Sequence, residues 1–209
     1  MIKLKLIFIL QLIIVTSSYS LIATDSIIIW SKSVNLQRSD FLSLNKPIAD
    51  DNSKFLNTDE NALLDTGIKV HLIHENSNIT INVIPYVNKN NSWLYSLDTS
   101  YSTLQHEQLH FNIAELIARK IRMEIMSMKK KGVQNIACYI DVINTYVSDS
   151  LSSKQHEFDQ KTLNGTLKSV QIEYSNLLEQ ELQKYNRFST DLYDFSDEVI
   201  REIFNPIEE

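Results

Sequence analysis

The sequence predicts an α+β fold: a small antiparallel sheet, made of a hairpin and an N-terminal strand, packed on one long helix and two to three further helices. Apolar and polar residues alternate through positions 66–74 and again through 79–87, the pattern of strands with one buried face. From Ser102 the apolar period lengthens to about 3.6, which is helical. Only three glycines and three prolines occur in 209 residues, which favours long regular elements over many tight turns.

Taken in order, Lys3 and Lys5 precede an apolar run at 6–10 that resumes at 12–15 and yields to Thr16-Ser17-Ser18-Tyr19-Ser20. This is the plan of a secretory signal peptide, with small Ser18 and Ser20 placing the cut after residue 20. A retained anchor is the alternative, but the apolar core is shorter than the ~20 residues a bilayer requires. A lipoprotein is disfavoured because no cysteine stands at the processing site. Residues 21–209 are read as one domain, periplasmic or extracellular, with no membrane span after cleavage. Losing the two lysines takes the formal charge from −6 to −8, which argues against a nucleic-acid partner. The single Cys138 cannot pair within the chain and is expected to be a small buried hydrophobe. Stability must then come from packing.

Ile27, Ile28, Ile29 and Trp30 read as a strand, and the polar stretch 37–65 as a long surface loop. The hairpin 66–74 and 79–87 turns through polar 75–78. A second polar turn at 88–92 leads to Trp93. Trp30 and Trp93 are expected to anchor the sheet ends. Ser102 with Gln105 suggests a capping box at the start of the long helix, and Lys129, Lys130 and Lys131 before Gly132 suggest its stop. Ile136, Ile140, Ile143, Val147 and Leu151 keep helical spacing, although 139–142 would also suit a strand; helix is preferred. Leu163-Asn164-Gly165 breaks that helix from a third, 166–185, with a face of Leu167, Val170, Tyr174, Leu178 and Leu182. A fourth helix is expected at about 191–204.

The chemistry centres on His106-Glu107-Gln108-Leu109-His110, an HExxH string on the long helix. Residues i and i+4 share a helix face, so two imidazoles converge as ligands for a zinc ion, while Glu107, turned aside, acts as the catalytic base on water. The string also arises by chance, with both histidines as ordinary residues. The same helix line runs on through Ile113, Ile117, Ile121 and Met128, so the histidines sit at the upstream end of a buried stripe, where unpaired imidazoles are costly. Glu115 falls on about the opposite side of the helix and suits a contact with Arg119 at i+4. His71 and His74, three apart in a strand, face opposite sides and read as ordinary hairpin residues.

The stretch 104–122, around His106, Glu107 and His110, closely resembles the signature helix of a bacterial family of predicted secreted zinc-dependent proteases, a domain of unknown function. Further signatures follow in order: a tryptophan strand leading to Ser39-Asp40-Phe41, then Asn52-Ser53-Lys54-Phe55, Thr66-Gly67-Ile68 and Ser92-Trp93. The resemblance implies a zincin-like fold, zinc as cofactor, and a peptide or protein substrate. This chain departs at Leu109 (usually glycine), at Asn112 (usually aspartate), and in Phe158-Asp159-Gln160-Lys161-Thr162-Leu163-Asn164-Gly165, where Asn164 replaces a histidine. The resemblance makes that position the third ligand. Asn is a poor zinc ligand, so Asn164 or Asp159 is carried as the third ligand, and His156 lies nearby. Two functions stay open: a zinc metallohydrolase, most simply a peptidase with the hairpin edge aligning an extended substrate, or a non-catalytic relative serving as an envelope binding or structural module.

Overall fold

The computed structural model describes residues 26–42, 62–75, 78–94, 101–192 and Phe204. The predicted signal peptide at 1–20 and the signature at 52–55 lie outside the described residues. Strand β1 (Ile27–Ile29) pairs antiparallel with β4 (Asn78–Asn88), which pairs antiparallel with β3 (Thr66–Glu75). The hairpin register runs from Thr66 opposite Val87 to Glu75 opposite Asn78, so the expected α+β architecture and hairpin are present. Among the described residues this sheet has the order β1-β4-β3. Inside the stretch expected as loop, Arg38–Asp40 forms a 3-10 turn. There too β2 (Ala62–Leu63) pairs with β5 (Trp93–Leu94) to make a second small sheet.

Helix α1 spans Tyr101–Lys130. Ser102 lies already within it, so the start is not the expected Ser102–Gln105 capping box. The stop is as expected: Gly132 takes φ +73°, its N–H donates to Lys129 O (3.0 Å), and Val133 N–H donates to Met128 O (3.1 Å), the paired bonds of a Schellman end. Helix α1 is buried on nearly every side between positions 113 and 122 because it is sandwiched. One side meets Ile68, Val70, Ile81 and Val83 of the hairpin; the other meets Tyr139, Ile143, Leu151, Phe158, Tyr174 and Leu178 of the later helices. Trp30 and Trp93 are buried, as expected.

Positions 136–162 are continuously helical: α2 (Ile136–Asn144), a π-helical segment (Thr145–Leu151) and α3 (Ser152–Thr162). The buried residues are Tyr139, Ile143, Leu151, Phe158 and Thr162, whereas Ile140 and Val147 are half-buried. The π turn is wider than an α turn, so the core-facing line shifts within it. Cys138 is exposed, correcting the expectation of a buried thiol. It lies one residue before Tyr139 and is rotated off the buried line. Leu163 (φ 48°), Asn164 (φ 51°) and Gly165 (φ 81°) all take left-handed backbone, making the expected break. Helix α4 covers Lys168–Lys184, with Gln171, Tyr174 and Leu178 buried. Leu167, expected on that face, precedes the helix and is exposed. Beyond it come 3-10 turns at Asn186–Phe188 and Thr190–Leu192; the rest of the expected fourth helix lies outside the described residues, apart from helical Phe204. Phe204 packs edge-on against Tyr86 on the sheet face away from α1. No helix among the described residues is long and apolar enough to cross a membrane.

Candidate metal centre

The first turns of α1 carry His106, Glu107 and His110 into a cavity of about 460 Å³. The end of α3, the 164–166 turn and β2 supply other parts of its wall. His106 and Glu107 are buried and His110 nearly so. The Nε2 atoms of His106 and His110 stand 3.2 Å apart. Asp159 Oδ1, from the last turns of α3, lies 3.1 Å from the first and 2.9 Å from the second. Tetrahedral coordination with bonds of about 2.0–2.2 Å separates ligand atoms by about 3.3–3.6 Å, and the three observed separations fall within a few tenths of an ångström of that. Among the described residues, His106, His110 and Asp159 form a group that can hold a metal ion.

The surroundings fix the rings. Gln171 Nε2 donates to Ser102 O (3.2 Å), so its oxygen faces His106 Nδ1 at 3.3 Å. The Gln171 oxygen holds the Nδ1 side of the ring and leaves Nε2 facing Asp159 Oδ1 and His110 Nε2, the way an outer-shell partner orients a histidine for a metal. Phe158 stacks on His106 (4.5 Å between centroids, 22°) and meets His110 edge-on (5.1 Å, 77°). Gly165 closes the other side: a Cβ there would stand 3.1 Å from His106 Cγ and Nδ1, and φ +81° disfavours any side chain. Thr162 ties this turn down, its hydroxyl donating to Phe158 O (2.8 Å) and accepting from Gly165 N (3.2 Å).

Electrostatics follow the geometry. Burial alone would lower the pKa of His110, but the hydrogen bond it donates to Asp159 and the charges of Glu107 and Asp159 outweigh it and leave the pKa above 6.5. Burial would raise Asp159, yet the bonds from His106 and His110 and their charges hold it well below the ordinary carboxylate range. Asp159 is therefore anionic at neutral pH, as a ligand must be.

Of the two third-ligand candidates, Asp159 joins the histidines; Asn164 is exposed and lines the same cavity. His156 is exposed and bonds to Gln160 (2.9 Å) instead. His71 is buried in β3 outside the cavity, and the side chain of His74 lies outside the described residues. Asn112, one departure from the family pattern, accepts from the indole of Trp30 (2.9 Å) and from Gln108 (3.2 Å). Leu109, the other, is part of the core.

No family model, curated protein or solved structure matches this chain. What the site can do therefore rests on its own chemistry. Sequence reading missed Gln171 and the roles of Phe158 and Gly165. A signal for Gln171 existed, since it sits three and seven residues before Tyr174 and Leu178, on a face that must be buried.

Proposed function

We propose that this chain is an exported, zincin-like zinc hydrolase acting on peptide bonds. The observation that carries the reading is the convergence of His106 Nε2, His110 Nε2 and Asp159 Oδ1 within 3.2 Å of one another, in a cavity that Glu107 also lines. Two imidazoles and a carboxylate are a donor set used by catalytic zinc, which keeps a further position open. Zinc held there supplies Lewis-acid polarisation of a carbonyl and a lowered pKa for the attacking water. Glu107 takes the water proton on a carboxylate oxygen and delivers it to the departing amine. His106, locked by Gln171, Phe158 and Gly165, and Asp159, held anionic, keep the donors in place. Membership in the secreted zinc-dependent protease family belongs to the same proposal, with Phe158, Asp159, Thr162 and Gly165 giving physical roles to the second motif. The envelope-module alternative rested on Asn164 as a failed ligand; the position of Asp159 favours the hydrolase.

Elemental analysis of the purified mature protein is the direct test, with about one zinc per chain expected and its absence fatal to the reading. Zinc uptake has a set pH dependence. Binding displaces the proton that Asp159 and Glu107 favour on His110, so affinity rises as pH rises through the raised pKa of that group and levels off above it. The metal-free protein runs the other way: a raised folded pKa adds stability in full below the unfolded value of ~6.5, and that contribution disappears as pH rises through the folded one. Competition titrations between pH 5 and 8 that showed flat affinity would contradict this.

The Gln171 amide is expected to act through His106. In Gln171→Leu, zinc affinity should fall about 10–100-fold, the usual effect of removing an orienting partner. A competition titration against a chromophoric chelator would measure it, and unchanged affinity would remove Gln171 from the site.

A further inference from the structure

Among the described residues of the cavity wall, one solvent-shielded polar atom has no hydrogen-bond partner. Gln155 lines the cavity and sits on α3 four residues before Asp159, hence on the same helix face. Its Nε2 is shielded from solvent and has no hydrogen-bond partner among the described residues. The other buried or half-buried amides discussed at this end of α1 are engaged: Gln171 by Ser102 and His106, Gln108 and Asn112 by each other, by Leu36 N and by the Trp30 indole, while Asn164 is exposed to water. A buried donor without an acceptor costs stability, and such groups persist where a ligand supplies the missing atom.

We infer that Gln155 is a substrate-positioning residue whose amide N–H donates to a backbone carbonyl oxygen of a bound peptide, next to the bond presented to His106, His110 and Asp159. This deepens the hydrolase reading and rests on it. The chemistry of the donor selects the ligand class. A neutral carboxamide matches the neutral, strongly accepting oxygen of a peptide group, while an anionic phosphate or carboxylate would call for a cation beside it. Ala62, Leu63 and Leu64 line the same cavity, and an apolar side chain of the peptide has surface to pack on there. Nε2 is shielded in the ligand-free cavity wall, so the three torsions of glutamine turn the amide into the cavity to meet the carbonyl.

The role predicts opposite signs for stability and binding. Gln155→Met keeps length and volume and removes the unpaired donor, so the metal-free variant should melt about 2–4 °C higher than the parent. Zinc content should stay at the parent level. The zinc-loaded variant should bind N-acetyl-leucyl hydroxamate about tenfold more weakly, the loss expected for one hydrogen bond. With any peptide substrate the loss should appear in KM more than in kcat. A variant that melts lower, or one that binds the hydroxamate as tightly as the parent, overturns the assignment of Gln155 while leaving the hydrolase reading intact. Failure of the zinc-loaded parent to bind the hydroxamate overturns both, and failure of the parent to take up zinc does so at an earlier step.

Discussion

Replacing Glu115 by alanine is expected to destabilise the fold by about 3–5 kcal/mol, the range for stripping one partner from a buried ion network. Glu115 is fully buried at the centre of α1. Its Oε1 accepts from Arg119 Nε (2.6 Å) and from Thr190 N (2.9 Å), and its Oε2 from the Thr190 hydroxyl (2.5 Å), with Arg122 Nη1 at 3.5 Å. The two arginines, also buried, donate further to carbonyls and hydroxyls: Arg119 to Leu182 O and Ser189 Oγ (2.7 Å each), Arg122 to Phe188 O, Val83 O and Thr190 Oγ1 (2.6 Å each). Arg119 also lies over the Trp30 ring, 5.1 Å from its centroid. One carboxylate thus balances two guanidinium groups and joins four parts of the chain: α1, β4, the end of α4 and the 188–190 turn. Alanine removes the carboxylate that both cations share in a dry interior. A chain of this size shifts Tm by about 2–4 °C per kcal/mol, so melting should drop on the order of 10 °C, with the denaturation midpoint falling at constant m. Glu115→Gln, which keeps the shape and one oxygen acceptor, should lose less. If the alanine variant melts within 2 °C of the parent, the network is not what ties the C-terminal turns to the helix.

This network shows where sequence reading reaches and where it stops. The Glu115–Arg119 pair was readable because residues four apart on a helix are neighbours. Thr190 and Ser189 were not, since nothing local marks a partner some 70 positions away. The metal centre divides in the same way. His106 and His110 follow from one helical turn, and Asp159 was one of two third-ligand candidates. Choosing between Asp159 and Asn164 needed the rotation of α3 about its axis, which follows the π segment Thr145–Leu151, and the left-handed backbone at Leu163 and Asn164 that ends it. A π turn widens the helix locally and so shifts which residues downstream fall on the side facing α1. The exposed Cys138 has a related cause: burial was expected from residue type alone, whereas its angular position one residue off Tyr139 turns it away from the core. The hairpin and the stop at Gly132 were legible throughout, because alternation, lysine charge and glycine conformation are all local properties.

Glu107→Gln is expected to lower turnover by about 10²–10⁴-fold, the usual contribution of a positioned general base, with zinc content unchanged. The substitution is close to isosteric, so the cavity keeps its shape, and the residue lies beside the donors without being one of the three that converge. A second consequence separates this role from a structural one. The charge of Glu107 helps to raise the pKa of His110, so removing it makes that imidazole easier to deprotonate. Zinc uptake by the variant should therefore reach half-saturation at lower pH than in the parent, even as hydrolysis is lost. The two readouts move in opposite directions from one change of charge. Lost zinc together with lost turnover would place Glu107 among the groups that hold the ion, and full turnover in the variant would leave the water without an identified base.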